Sequence, residues 1–380
     1  MSAESLPTAA PASEAAPSSS AIVTAPGPGT VDWALAERVA IKVAGREPFA
    51  QSYHYDSLEP DFAEFTEQAE ELVAQTTGLR SLAGPARARV TDRNGWVRAN
   101  IASFQRLLRP LLTKFEARMT SSAMSPITRK AAGAEMGAML GWMSTRVLGQ
   151  YDLLIIEEEN PEDQDLVYYV GPNVLGLEKM FAFPPREFRL WLALHEVTHR
   201  AQFTGVSWMR PHFLGLVEQS IDAVDPDPKR FVAAIDRVAE AIKSGTNPLN
   251  DGGIMALVAT DEQRAVLDQI SGLMSLLEGH GDVTMDRAGE GLIPSAERFG
   301  RVLRQRRQNS NGLQKLLQQL IGLEAKLAQY EQGERFIAAV EKAGGTGLLD
   351  HVWETPANLP SILEIRDPDL WIRRLQPAVA

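Results

Sequence analysis

The chain has 380 residues, a formal net charge of −11 and a hydrophobic fraction of 44%. That apolar content is ordinary for a globular protein and allows a sizeable core. The acidic balance argues against nucleic acid or an anionic membrane as the main partner. Because cysteine is absent, disulfides are excluded, and a metal site would have to use His, Asp and Glu.

The N-terminal segment differs in composition from the rest of the chain. Residues 1–30 are mostly Ala, Pro, Ser and Thr, which predicts a disordered tail because such a segment buries too little apolar surface. Its first residues have neither a basic start nor an apolar core, so we expect no signal peptide. The run MGAMLGWMST is half the length of a membrane-spanning helix. We therefore expect a cytoplasmic protein with no membrane partner.

Helical periodicity begins near Val31, with Asp32 as a candidate N-cap, and continues through most of the chain. Further helices are predicted to begin near Asp61, Asn94, Ile127, Pro185, Asp261 and Asn311. Pro110 should kink or break the helix that contains it. The helix from Ile127 carries several small residues, which indicates close contact with another helix.

One region favours strands instead. The segments YDLLII (151–156) and LVYYV (166–170) are β-branched and aromatic, and an acidic stretch with Asn160-Pro161 separates them. The predicted fold class is therefore mainly α with a small β element. We expect residues 31–380 to form a single large domain, within which residues 31–148 are a candidate helical subdomain.

The stretch LWLALHEVTHRAQF contains the pattern HExxH at residues 195–199. Residues four apart lie on one face of a helix, so His195 and His199 are placed to bind one Zn²⁺. Glu196 could then take a proton from a water on that metal. One class of zinc enzymes continues this pattern as HExxHxxGxxH, with a third histidine as ligand. Here Gln202 replaces the glycine and Gly205 replaces the third histidine, which excludes that class.

Two glutamates are candidates for the third ligand, and each has an aspartate four residues later. Glu218 precedes an acidic, proline-rich segment in which a solvated carboxylate is expected. Glu278 follows an apolar helical stretch, where a buried carboxylate needs a partner such as a metal. Glu278 is therefore favoured, and Asp282 could hold the far nitrogen of a ligating histidine.

The residues around Glu278 raise two further questions. Gly279 and Gly281 lie inside a predicted helix, where each glycine costs about 1 kcal/mol, which indicates a packing or functional reason. His280 follows Glu278 by two residues, so it points about 200° away from Glu278 around the helix. It is either a catalytic residue that hydrogen-bonds a substrate oxyanion or a hydrogen-bonded core histidine.

These segments together resemble the bacterial zincin-like metallopeptidase type 2 family, sometimes linked to deazaflavin-coenzyme biosynthesis. The likeness rests on HEVTHRAQFTGVSWMRPH (195–212), LMSLLEGHGDVTMD (273–286) and LQKLLQQLIGLEAKLAQYEQGERF (313–336). It implies a helix-rich, gluzincin-type body in which His195, His199 and Glu278 bind Zn²⁺ and Glu196 is the base. The resemblance supplies no substrate.

The predicted function is a zinc-dependent metallopeptidase, in which a water activated by Glu196 attacks an amide carbonyl of a peptide or protein substrate. LVYYV could hold that peptide by strand addition. The alternative is a zincin-fold metal-binding or interaction protein without peptide turnover. A third hypothesis is that the HExxH pattern arose by chance in a helical protein. Nucleic acid is not an expected partner, and the sequence does not indicate an oligomeric state.

Overall fold

The computed structural model describes residues 31–47, 49, 52–118, 126–153, 165–222, 261–308 and 323–376. Helices make up most of this part of the chain. In chain order they are α1 (Trp33–Ala44), α2 (Tyr53–Asp56), α3 (Leu58–Thr77), α4 (Arg93–Arg118), α5 (Pro126–Ser144), α6 (Gly171–Phe181), α7 (Pro185–Gly205), α8 (Met209–Asp222), α9 (Asp261–Ala288), α10 (Ala296–Gln308), α11 (Leu323–Asp350), α12 (Ile362–Arg366) and α13 (Pro368–Leu375). The fold class is mainly α with a small sheet, as predicted.

The first helix begins where its capping residue predicts. The Asp32 carboxylate accepts a hydrogen bond of 2.9 Å from the backbone amide of Leu35, which satisfies one of the free donors at the start of α1. Helix α5 then packs along α1. A Cβ atom at Gly133, Gly137 or Gly141 would lie only 2.3–2.4 Å from a backbone oxygen of Asp32 or α1. The predicted close contact of these small residues is confirmed.

The sheet has three strands: β1 (Arg87–Thr91), β2 (Gly149–Tyr151) and β3 (Leu166–Val170). Strand β3 lies in the middle, parallel to β1 and antiparallel to β2, with Gly149 opposite Tyr169. The second predicted strand is confirmed. The first is shorter than predicted and begins earlier, at Gly149, while residues 154–164 lie outside the described residues. Strand β1 was not predicted.

Helix α7 lies at the centre of the main core. It begins at Pro185, as predicted, and most of its residues are buried. It packs against both α3 and α9. Apolar side chains from α3, β3, α6, α7, α9 and α10 form one continuous cluster around it. Polar side chains on α7 therefore need partners from neighbouring elements.

Helices α9 and α11 cross at two glycines. A Cβ atom on Gly279 would lie 2.4 Å from the carbonyl carbon of Gly333, and one on Gly333 would lie 2.0 Å from the carbonyl oxygen of Ser275. The packing reason predicted for Gly279 is confirmed, because only glycine allows the two backbones to approach this closely. Helices α12 and α13 then pack with α11 around a second apolar cluster that includes Trp371.

Other sequence predictions have mixed outcomes. Helix α4 continues through Pro110 without a break. The predicted tail, residues 1–30, lies outside the described residues, as does the predicted start of a helix at Asn311; α11 is described from Leu323. In the described parts of the chain, no helix is both long enough and apolar enough to cross a bilayer.

Candidate metal centre

Two imidazoles project from one face of α7, one helical turn apart. The Nε2 atoms of His195 and His199 lie 3.3 Å apart. Their ring centroids are 4.6 Å apart and the ring planes are nearly perpendicular. The helix that carries them has buried residues before and after the motif, so core packing fixes the backbone from which both rings project.

The third side chain comes from α9, which packs against α7. Glu278 is only 3% exposed, and its Oε2 lies 3.5 Å from His199 Nε2. One ligand atom from each of His195, His199 and Glu278 lies within 4.8 Å of the other two. Across the ranges described here, no second group of three or more His, Asp or Glu side chains converges in this way. Glu218 is exposed on α8 and is not part of the group.

The spacing of these atoms suits one small divalent cation. Ligands bound tetrahedrally at about 2.0–2.1 Å lie about 3.3–3.4 Å from one another. The observed separations are 3.3 Å between the two histidine nitrogens and 3.5 Å between His199 Nε2 and Glu278 Oε2. Two imidazoles and one carboxylate are also a ligand set that Zn²⁺ accepts, leaving one position open. The donor set and these two separations therefore fit Zn²⁺.

Glu196 lies beside the two histidines and against strand β2. It is 7% exposed. A Cβ atom built on Gly149 would lie 2.7 Å from Glu196 Oε1 and 2.7 Å from its Cγ. A side chain at residue 149 would displace this carboxylate from its present position. The sequence contains Gly149, but no local pattern shows that it lies against a residue 47 positions away.

A cavity of about 990 Å³ is lined by His195, Glu196, His199 and Glu278. Part of its wall is apolar and aromatic: Tyr151, Leu153, Trp191, Phe203, Phe213 and Met274. Another part carries carboxylates: Asp282, Asp286, Glu297, Glu331 and Glu334. Arg146 and Arg304 also line it. The space is large enough for a segment of a peptide or a molecule of similar size.

The far nitrogen of His199 is contacted by Gln202, and not by Asp282. Asp282 lines the cavity, but the far nitrogen of His199, Nδ1, contacts Gln202 Oε1 at 3.0 Å. Gln202 thus holds the position that was suggested for Asp282 at this histidine. Gly281 lies beside both rings, where a Cβ would be 3.5 Å from His199 Cε1, an ordinary contact distance.

His280 lies behind the metal centre, on the far side of Gln202 from His199. Its Nδ1 is 2.9 Å from Gln202 Nε2, and its ring packs edge-on against Trp353. Burial, with the positive charges of His199 and Arg287, lowers the pKa of His280 to about 3. His280 is not among the described residues that line the cavity, so the geometry matches a hydrogen-bonded core histidine and gives no support to an oxyanion contact.

The carboxylate of Glu278 changes the proton affinity of His199. Burial alone lowers the pKa of this imidazole, but the hydrogen bond and negative charge of Glu278 outweigh burial and raise the pKa to about 9. Without metal, His199 therefore holds a proton at neutral pH. A divalent cation would take the place of that proton between the same two side chains.

The chain is similar to known proteins over nearly its whole length. The sequence profile of a family described as zincin-like metallopeptidase matches residues 31–372. The chain is also similar to a protein from Chloroflexus aurantiacus, whose crystal structure is described as that of a "putative hydrolase with a novel fold". Identity is 32%, the TM-score is 0.67, and the match covers 91% of this chain and 99% of the other. No curated protein matches this sequence.

Proposed function

Because this chain belongs to the zincin-like metallopeptidase family, we propose that it is a zinc-dependent hydrolase that cleaves an amide bond in a peptide or protein. One observation carries the proposal: ligand atoms of His195, His199 and Glu278 converge on the wall of a large cavity that Glu196 also lines. A site with only a structural role would have no use for a carboxylate base at that position.

The three converging side chains would hold the metal. His195 and His199 would bind through Nε2 and Glu278 through a carboxylate oxygen, which leaves one position for a water or a substrate oxygen. When bound, Zn²⁺ would polarise the scissile carbonyl and lower the pKa of that water. The negative charge of Glu278 offsets part of the cation's charge in a buried setting.

Glu196 has the role of general base and then general acid. Its carboxylate takes a proton from the attacking water as the new C–O bond forms. It then delivers that proton to the amide nitrogen as the C–N bond breaks, so that the products are a carboxylate and an amine. Contact with Gly149 limits the positions the carboxylate can adopt, which preorganises it for both transfers.

Strand β2 is the best candidate to hold an extended substrate. Sequence reasoning assigned this role to LVYYV, but that strand is β3, which has a paired strand on each side. No described strand pairs with the second edge of β2, and Gly149, Gln150 and Tyr151 all line the cavity. An extended peptide added to β2 would therefore pass beside Glu196.

The charge of the cavity favours one class of substrate. Among the described lining residues, Glu196 and Glu278 are joined by five further carboxylates and only two arginines. An excess of negative charge attracts cationic groups and disfavours anionic ones. We expect peptides with Lys or Arg near the cleaved bond to be preferred, and the preference to weaken at high salt.

A Glu196→Gln variant tests the proposal. The zinc content of the purified wild-type protein and of the variant is measured first, and both are then incubated with a peptide library read by mass spectrometry. We expect one zinc per chain in both proteins, and cleavage by the wild type that falls about 10²–10⁴-fold in the variant. If both bind zinc equally and neither cleaves any peptide, the protein is a metal-binding module without peptide turnover.

A further inference from the structure

We infer that Gln202 is the positioning residue of the metal centre. It holds His199 so that Nε2 faces the metal, and it ties that histidine to the backbone next to Glu278. This inference rests on the proposed function for the identity of the metal ligands. Its own basis is a chain of hydrogen bonds between α7 and α9 that the HExxH pattern does not contain.

The orientation of the Gln202 amide is fixed by a backbone group. Gln202 is fully buried, and its Nε2 donates to the carbonyl oxygen of Leu277 at 3.0 Å. Because a carbonyl can only accept, the nitrogen of the amide must point towards Leu277. The reverse orientation would set two acceptors against each other in a buried site, which is costly.

This orientation decides which nitrogen of His199 carries the proton. With Nε2 of Gln202 committed to Leu277, its Oε1 faces His199 Nδ1 at 3.0 Å. An amide oxygen only accepts, so Nδ1 of His199 must be the N–H donor. The lone pair of a neutral His199 is then on Nε2, which is the atom that faces His195 and Glu278. A metal ligand oriented in this way needs no change of tautomer to bind.

The second amide hydrogen of Gln202 also has an acceptor. Nε2 lies 2.9 Å from Nδ1 of His280, so that nitrogen must be unprotonated to accept. The ring of His280 is held in turn by Trp353, with centroids 4.9 Å apart. His280 therefore completes the hydrogen bonding of the buried amide, and its position one turn from Leu277 on α9 gives Gln202 two contacts on that helix.

Gln202 consequently couples both ligand-bearing helices. It lies three residues after His199 on α7 and contacts the residue immediately before Glu278 on α9. Because Gln202 is hydrogen-bonded to both His199 and the Leu277 carbonyl, it limits the movement of His199 relative to Glu278. Loss of an outer hydrogen bond of this kind typically weakens metal binding about 10–100-fold.

The experiment compares zinc affinity, measured by competition with a chromophoric chelator, in the wild type and three variants. Gln202→Leu removes all three contacts. Gln202→Glu keeps an acceptor for His199 but cannot donate to Leu277. Thr198→Val is the matched control, since Thr198 is also fully buried on α7 and donates only to the Leu194 carbonyl of its own helix.

We expect Gln202→Leu to bind zinc about 10–100-fold more weakly, Gln202→Glu to bind more tightly than Gln202→Leu, and Thr198→Val to match the wild type.

A protected His199 Nδ1–H resonance in ¹⁵N NMR should be present in the wild type with or without zinc, and lost in Gln202→Leu. Gln202→Leu affinity within about threefold of the wild type, or absence of the resonance, would overturn the inference. A wild type that binds no zinc would instead overturn the proposed function. Should Gln202→Leu not fold, the wild-type resonance decides.

Discussion

Replacing Gly279 by alanine tests the packing that holds Glu278 in place. Gly279 follows Glu278 on α9 at the crossing with α11. A Cβ atom there would lie 2.4 Å from the Gly333 carbonyl carbon and 2.6 Å from the Glu334 backbone nitrogen. Both are main-chain atoms, so no side-chain rotation relieves the overlap. Helix α11 must move away from α9 for the alanine to fit.

Two opposing terms set the size of the effect. Alanine is favoured over glycine inside a helix by about 1 kcal/mol. Ordinary contact begins at 3.4 Å, so the 2.4 Å approach requires a displacement of about 1 Å. Overpacking in a close-packed interior costs about 1–3 kcal/mol, and the upper end applies because a whole helix must shift. We expect Gly279→Ala to lower the free energy of unfolding by about 2 kcal/mol.

The assay is urea-induced unfolding of Gly279→Ala beside a matched control, Gly215→Ala. Gly215 lies within α8, and a Cβ there would meet nothing within 4 Å, so only the helix preference of up to about 1 kcal/mol acts. The control should be slightly more stable than the wild type. If Gly279→Ala were as stable as Gly215→Ala, the close crossing of α9 and α11 and its part in holding Glu278 would be refuted.

Three further predictions concern the site itself. Glu278→Gln should weaken zinc binding more than about 100-fold, because it removes a ligand and not just an outer contact, whereas Glu218→Gln should leave chelator competition unchanged. Gly149→Ala should push the carboxylate of Glu196 aside and lower the turnover rate by up to about 100-fold, with zinc content retained. The pKa of His199 in the folded protein is about 9, above its ordinary value of 6.5. Protonation of His199 therefore stabilises the metal-free fold fully below about pH 6.5, and this stabilisation is lost as the pH rises through 9. Thermal unfolding of chelator-treated protein should show the loss, and an unchanged melting temperature across that range would contradict it.

The helices and the cluster of candidate ligands were predictable from the sequence because both depend on local patterns. Spacing of four residues places His195 and His199 on one helix face whatever the rest of the fold does. Glu278 stood out because a carboxylate after an apolar helical stretch needs a buried partner. The structure brings all three side chains together and leaves Glu218 exposed.

The remaining features depend on contacts between distant segments. Strand β1 pairs with β3 across more than 70 residues, and a short strand at the sheet edge has no strong local pattern. Gln202 is one polar residue on a helix; its role depends on Leu277 and His280, which lie 75 and 78 residues away. The same holds for Gly149, whose significance is its contact with Glu196.

The most direct test of the metal centre is X-ray diffraction, at the zinc absorption edge, from crystals of the full chain grown with zinc. The anomalous peak should lie within about 2.0–2.2 Å of His195 Nε2, His199 Nε2 and a carboxylate oxygen of Glu278. A zinc ion bound at Glu218, or an anomalous map with no peak between α7 and α9, would contradict the account.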